Sequence, residues 1–131
     1  MVVLAESNRQ TLQIENARFQ QSDWFSTLVN QQFDLIVSNP PYIDAEDENL
    51  QIGDVRFEPL TALVADNHGL SDLQKIIENA PLYLKPNGAL FLEHGWQQAL
   101  DVQHIFHQNQ WQAVETFKDY ANLDRITKAE K

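Results

Sequence analysis

A short run from Phe33 to Val37, apolar except for Asp34, is followed at once by Ser38, Asn39, Pro40 and Pro41. A compact apolar stretch of this length is typical of a strand buried on both faces in a parallel sheet. Proline has no N–H to donate to a neighbouring strand, so the strand is expected to end before Pro40. The sequence therefore predicts a buried parallel strand whose carboxyl end carries Asn39.

Helical and strand patterns alternate along the rest of the chain. Helix-favouring segments, two of them with clear apolar faces, predict helices at residues 4–16, 71–80 and 97–108. Shorter apolar or alternating runs predict strands at residues 17–21, 89–93, 111–117 and 123–127, and a turn is predicted at 85–88. This alternation predicts the α/β class, with one domain over residues 1–131 and an open, mostly parallel sheet.

The composition limits the partners and the compartment. The formal net charge is -10, and because phosphate backbones attract basic surfaces, nucleic acid is not expected as a direct partner. The absence of Cys excludes disulfides and cysteine-ligated zinc and fits a reducing compartment. No apolar stretch approaches the ~20 residues of a membrane span, and the first residues lack the features of a secretory signal. A soluble cytoplasmic protein that does not bind membranes is expected.

Residues 39–42, Asn-Pro-Pro-Tyr, carry the clearest candidate site. Open α/β sheets bind ligands beyond the carboxyl ends of their strands, where this tetrapeptide is predicted to lie. The side-chain oxygen of Asn39 and the carbonyl of Pro40, held by restricted dihedrals, offer two fixed acceptors. They suit a planar amide or aromatic amine whose nitrogen must be aimed at a methyl donor, and Tyr42 can pack flat on it. The alternative is that the prolines only end a strand and begin a loop.

Residues 33–42 resemble the fourth-strand motif of class I, S-adenosylmethionine-dependent methyltransferases that act on nitrogen. Residues 53–63 with Gly69 and Leu70, and residues 92–97, are similar to more specific motifs of the release factor glutamine methyltransferase family. The resemblance implies methylation of the side-chain amide nitrogen of a glutamine in the Gly-Gly-Gln loop of peptide-chain release factors. Two alternatives share the tetrapeptide: methyltransferases of a ribosomal protein glutamine and nucleic-acid adenine methyltransferases.

The resemblance assigns roles to the tetrapeptide. Asn39, Pro40 and Tyr42 are the predicted catalytic residues, in which Asn39 and Pro40 orient the substrate amide and Tyr42 packs against it. Pro41 completes the substrate-binding segment. Since a sulfonium methyl is already electrophilic, alignment and exclusion of water are expected to replace a strong general base.

For the donor, the resemblance places Asp23 and Trp24 beside the adenine and Asn39 where donor and acceptor meet. The alternative for Ser22 and Asp23 is an ordinary cap of the following turn.

Other polar residues carry weaker signals. Arg56 and Glu58 could shape the glutamine pocket or form a solvated charge network. His104 and His107 lie three residues apart on a predicted helix, but no further ligands accompany them, so no metal is expected. The large aromatic side chains near the end of the chain are predicted to pack in the core: Phe106 and Trp111.

The similarity runs from about Leu4 to Thr127 and covers only the later part of a full-length family member. The family's Gly-rich loop and acidic ribose-binding residue have no counterpart, and none of the four Gly forms such a loop. In the family's strand order 3-2-1-4-5-7-6, the segment around Phe19 is the third strand and residues 33–37 are the fourth. The first two strands are missing between them.

Three expectations follow from the missing strands. The fourth strand exposes an unpaired edge, which favours self-association or binding of a complementing N-terminal fragment. The isolated chain binds S-adenosylmethionine weakly and is inactive by itself, because the loop that faces the donor is absent. The alternative to an enzyme is a non-catalytic remnant or split-gene product.

Overall fold

A computed structural model describes residues 1–44, 64–65 and 69–131, with only the backbone of residues 43, 44, 64 and 65. The predicted long loop at residues 43–67, with Arg56 and Glu58, lies almost wholly outside the described residues. The chain divides into two compact units, Met1–Asn30 and Gln31–Lys131.

The first unit contains helix α1 (Val2–Thr11), which is shorter than the helix predicted at residues 4–16. An ion pair between Glu6 and Arg9 links successive turns, with the two side chains 2.6 Å apart. Arg9 also donates to the carbonyl of Ile14 at 2.8 Å, which ties the chain that leaves the helix to its last turn. No residue of α1 is buried.

The strand predicted at residues 17–21 was wrong. A strand exists only where a neighbour supplies hydrogen bonds to its backbone, and no part of the described chain pairs with this segment. In the turn that follows, the Ser22 hydroxyl donates to the Trp24 carbonyl at 2.8 Å and accepts from the Thr27 N–H at 3.2 Å. Ser22 therefore has the turn-capping role that was one of its two interpretations.

The second unit is built on a four-stranded sheet. In spatial order its strands are β1 (Phe33–Ser38), β4 (Leu84–Glu93), β6 (Asp124–Glu130) and β5 (Gln112–Lys118). This order matches the predicted strands four, five, seven and six. β1, β4 and β5 run in the same direction, as expected of a mostly parallel sheet, whereas β6 is antiparallel to both of its neighbours. β6 follows β5 through a short hairpin, and such a hairpin joins antiparallel strands.

A second, two-stranded sheet pairs β2 (Ile43–Asp44) in parallel with β3 (Val64–Ala65). The turn predicted at residues 85–88 lies inside β4. There the register with β1 shifts between the pair Phe33–Leu84 and the pair Leu35–Ala89. The segment therefore interrupts the pairing without ending the strand.

Helices α2 (Ser71–Asn79) and α3 (Ala99–Gln108) supply the helical half of the core. Short 3-10 turns flank them, Ala80–Tyr83 after α2 and Trp96–Gln98 before α3. The largest fully buried apolar side chains come from both helices and from β4: Leu73, Ile76, Ile77, Val102, Phe106, Leu84, Leu90 and Leu92. Each contributes roughly 1.5–3 kcal/mol relative to an exposed position.

Trp111 closes this core, as predicted for it and for Phe106. The two rings meet edge to face, with centroids 5.4 Å apart. The indole N–H of Trp111 donates to the carbonyl of Ile77 at 3.2 Å, so the polar atom of a buried aromatic side chain is satisfied.

The prediction that β1 is buried on both faces was wrong: none of its residues is buried, and the face of the sheet away from the helices carries its exposed apolar side chains. Leu35 and Val37 alternate with the residues that point to the helices, and they are 50% and 72% exposed. β1 is also the edge strand, and β4 is its only partner among the described residues. Among the described residues, one edge of β1 is therefore unpaired, as predicted.

Candidate functional site

The tetrapeptide at residues 39–42 lies directly after β1, where it was predicted from the sequence. Asn39 is exposed, Pro40 is buried, and Pro41 and Tyr42 are half-buried. Burial of Pro40 anchors the segment, while the amide of Asn39 stays accessible to a ligand. The two proposed acceptors, the side-chain oxygen of Asn39 and the carbonyl of Pro40, therefore lie directly after an anchored strand end.

The phenol of Tyr42 is held by Glu93 at the carboxyl end of β4. The Tyr42 hydroxyl donates to Oε1 of Glu93 at 2.9 Å. Burial, followed by this hydrogen bond, raises the pKa of the phenol above its ordinary value of 10.0, and Arg125 acts in the opposite direction. Tyr42 therefore keeps its proton near neutral pH, and a protonated phenol does not act as a general base.

The backbone of Tyr42 is held by the residues after Glu93. Nε2 of Gln98 donates to the Tyr42 carbonyl at 2.9 Å, and Oε1 of Gln98 accepts from the Gly95 N–H at 2.8 Å. Gly69 packs against the same carbonyl: a Cβ there would overlap the carbonyl oxygen and Nε2 of Gln98. Gly69 also has φ +80°, a conformation that favours glycine.

A buried chain of hydrogen bonds, termed here the His94 chain, continues from this turn into the sheet. Nε2 of His94 lies 2.8 Å from the Thr127 hydroxyl, which lies 2.8 Å from the Thr116 hydroxyl. Nε2 of Gln103 donates to Thr116 at 2.7 Å. Nδ1 of His94 lies 2.9 Å from the Gly95 carbonyl, which can only accept, so Nδ1 carries the proton of the neutral ring.

A neutral imidazole is compatible with every bond of the His94 chain. With the proton on Nδ1, Thr127 can donate to Nε2 of His94, Thr116 can donate to Thr127, and Gln103 donates to Thr116. His94 is fully buried, and burial lowers the pKa of its imidazole below the ordinary value of 6.5. Protonation would reverse the last hydrogen bond and place a charge in the core.

This lowered pKa predicts a stability profile. Above pH 6.5 the imidazole is neutral in both states and the full stability is present. As the pH falls through 6.5, the unfolded chain takes up the proton first, so the free energy of unfolding decreases until the folded pKa is reached. Urea unfolding between about pH 8 and about pH 5, above the range of most carboxylates, should show this decrease.

The matched variants for the pH profile are His94→Gln and His104→Gln. His104 is exposed on α3, so its replacement should leave the slope unchanged. His94→Gln should lower the stability at every pH and remove the slope. A wild-type slope in His94→Gln would contradict the assignment.

Arg125 borders the site from β6. Its Nε donates to Oδ2 of Asp119 at 3.0 Å and its Nη1 to the His94 carbonyl at 3.4 Å. Asp119 also accepts from the backbone N–H groups of Leu123 and Ala121. The Leu123 bond above all, and then Arg125 and Ala121, lower the pKa of the Asp119 carboxyl. The hairpin turn thereby fixes Arg125 beside Tyr42.

A cavity of about 260 Å³ opens beside Asn39 and Glu93. Its walls are apolar side chains of three strands, namely Leu35, Val37, Phe91 and Ile126. Its polar lining residues lie at the carboxyl ends of β1 and β4 and are Ser38, Asn39 and Glu93. A mostly apolar pocket with few polar groups at one end suits a flat, neutral group.

The predicted donor residues lie in the first unit. Asp23 is exposed and Trp24 is half-buried in the Ser22 turn. Their adenine-binding role stays a prediction. Four residues around Tyr42 had no predicted role: Glu93, His94, Gln98 and Arg125. The first two belong to residues 92–97, which resemble a family motif.

Among the residues that the structure describes, no group of three or more His, Cys, Asp or Glu is arranged to hold a metal ion. None of the helices in this part of the chain is long and apolar enough to cross a membrane.

The sheet order and the Asn-Pro-Pro-Tyr segment at the end of β1 define the class I methyltransferase fold. A crystal structure of a methyltransferase from Pyrococcus furiosus aligns with a TM-score of 0.64 over 99% of this chain and 57% of that one. At 16% identity, this likeness supports the fold alone. Residues 1–129 match a protein family described as a methyltransferase domain. The chain therefore belongs to this methyltransferase domain family.

Several relatives are named release factor glutamine methyltransferase. The one from Haemophilus influenzae is 56% identical over 97% of this chain. Those from Salmonella typhimurium and Escherichia coli K12 are 55% and 53% identical over 96% of it. The chain spans only 43–46% of the length of these three relatives.

Proposed function

We propose that this chain is the amide-binding part of a protein-glutamine methyltransferase that acts on peptide-chain release factors. The observation that carries the proposal is the arrangement of Asn39 and Pro40 at the end of β1, held through Tyr42 by Glu93 and Gln98. The identity of over half of the residues to the relatives just named supports the choice of substrate. The proposal includes a cytoplasmic location, which the absence of Cys supports.

The proposed chemistry requires alignment. Oδ1 of Asn39 and the carbonyl of Pro40 accept the two N–H groups of the substrate amide, so that its nitrogen faces the methyl carbon of the donor. In this geometry the N–C bond would form as the S–C bond breaks, the electron pair of the broken bond would stay on the sulfur of the departing thioether, and the nitrogen would release one proton to solvent. Tyr42 packs on the amide plane, and the apolar wall excludes water.

S-adenosylmethionine would supply the electrophilic methyl group. Residues of the first unit suit its adenine, since the exposed carboxylate of Asp23 can accept from the adenine amino group and Trp24 offers a ring beside it. Asn39 is the proposed contact where donor and acceptor meet. These residues alone leave the carboxylate and ribose of the donor without partners, so the isolated chain should bind it more weakly than micromolar.

The test is a chimera that joins this chain to the segments of the Escherichia coli relative that it does not cover. Transfer of a labelled methyl group from the donor to a release factor supports the proposal, and the modified residue is identified by mass spectrometry. Transfer to a ribosomal protein or to DNA, and not to the release factor, would establish the corresponding alternative. A folded but wholly inactive chimera would refute the proposal.

A second candidate function is docking without catalysis. The free edge of β1 and the exposed Leu35 and Val37 favour it, because unpaired apolar edges bind further strands. The proposed occupant of this edge is either a complementing N-terminal fragment or another copy of the chain. Both would continue the sheet beyond β1.

Self-association through this edge gives a direct prediction. Val37→Lys should shift the isolated chain toward monomer, because a charged side chain on an edge strand opposes pairing. Leu100→Lys is the control, since Leu100 is similarly exposed, at 79%, but lies on α3. Light scattering after size exclusion measures both. Equal masses for the two variants at all concentrations would exclude pairing through β1.

A further inference from the structure

We propose that Gln98 is a positioning residue that fixes the backbone of Tyr42, and with it the preceding acceptor carbonyl of Pro40. The hydrogen bonds of Gln98 to Tyr42 and Gly95 are seen in the structure. The consequence for methyl transfer rests on the proposed function. Gln98 is assigned a positioning role because its side chain acts on the site through the Tyr42 carbonyl.

Both ends of the Gln98 amide have matching partners. Nε2 donates to the Tyr42 carbonyl and Oε1 accepts from the Gly95 N–H, at 2.9 and 2.8 Å. These partners fix the orientation of the amide, because the reverse orientation would set two acceptors and two donors against each other. The bond to Tyr42 joins residues 56 positions apart and is therefore a tertiary restraint on the loop after β1.

The restraint acts together with a second one. Glu93 holds the Tyr42 hydroxyl while Gln98 holds its carbonyl, so one end of the residue is fixed to the last residue of β4 and the other to the turn that follows. The ring closure of Pro40 and Pro41 removes two of the φ freedoms between Tyr42 and Asn39. Fixing Tyr42 consequently limits the positions open to the Pro40 carbonyl.

Two substitutions of Gln98 test its hydrogen bonds to Tyr42 and to Gly95 separately. Gln98→Glu retains an acceptor for Gly95 but sets a carboxylate oxygen against the Tyr42 carbonyl. Gln98→Met keeps a similar length and removes both bonds. Gln97→Glu is the matched control, since Gln97 is the exposed neighbour and receives the same change of charge.

The carbonyl of Tyr42 can be observed by itself. Tyr42 and Ile43 form the only Tyr-Ile pair in the sequence, so ¹³C-carbonyl tyrosine combined with ¹⁵N isoleucine gives one carbonyl-to-nitrogen NMR correlation from the full chain. Loss of the hydrogen bond should shift this signal in Gln98→Glu and Gln98→Met and leave it in place in Gln97→Glu. Hydrogen exchange of the Gly95 N–H should accelerate in Gln98→Met alone.

This pattern would not arise from a general loss of stability, which would affect Tyr42 and Gly95 together. In the active chimera, Gln98→Glu should lower kcat at least tenfold and leave the KM for the donor within about threefold, as expected when alignment and not binding is lost. An unshifted Tyr42 signal in Gln98→Glu, or unchanged kcat despite a shifted signal, overturns the positioning role. An inactive wild-type chimera counts against the proposed function alone, because the carbonyl signal still decides whether Gln98 holds Tyr42.

Discussion

Asn39→Ala should lower kcat for methyl transfer by about 100-fold or more in the chimera, because misalignment of the reacting atoms alone costs on that order. Asn39 is exposed at the end of β1, so the truncation should not disturb the fold. Donor affinity should change by less than about threefold, since the role assigned to Asn39 is mainly alignment of the amide nitrogen. Single-turnover kinetics and calorimetry measure the two quantities separately.

The control for this variant is Asn8→Ala, an exposed asparagine on α1 in the first unit. Its methyl transfer should equal that of the parent chimera. Near-parental turnover in Asn39→Ala would remove Asn39 from the catalytic residues. A large loss of donor affinity with unchanged kcat would assign it to the donor site alone.

Gly69→Ala should destabilise the chain by about 3 kcal/mol, from a left-handed backbone conformation together with overpacking. The added Cβ would overlap the Tyr42 carbonyl oxygen and Nε2 of Gln98, and backbone cannot yield as a flexible side chain can. The variant should therefore also break the hydrogen bond between Tyr42 and Gln98. Urea unfolding gives the loss of stability, and the Tyr42 carbonyl signal reports the broken bond.

Gly95→Ala provides the comparison, because Gly95 has φ -66° and a Cβ there would lie 3.1 Å from Oε1 of Gln98. This contact is tight but involves a side chain, so the loss should be under about 1 kcal/mol, typical of a mild substitution. Equal losses in the two variants would mean that Gly69 is not specially constrained.

Elements specified by local sequence were predicted well. β1 and the position of Asn39 follow from an apolar run stopped by proline, and α2 follows from the apolar spacing of Leu73, Ile76 and Ile77. In each case the deciding residues are close together in the chain. The carboxyl end of β1 could therefore be proposed as a site before any tertiary contact was known.

Elements that depend on distant partners were not predicted. Residues 17–21 have strand-like composition, but strand formation depends on a neighbour that no local pattern reveals. The His94 chain joins His94 to Thr127, 33 residues away, and Thr116 to Gln103, 13 residues away. Nothing in the local sequence of Gln98 distinguishes it from the exposed Gln97, although only Gln98 contacts Tyr42.

The central position of β6 affects the order in which a growing chain can fold. β6 lies between β4 and β5 although it is the last of these strands to leave the ribosome. Until residues 124–130 have emerged, β5 has no route into the sheet and β4 can pair only with β1. The Thr127 hydroxyl and the Arg125 guanidinium also arrive with β6. The site at residues 39–42 therefore reaches its final environment only after residues 124–130 have been synthesised, more than 80 residues later in the sequence.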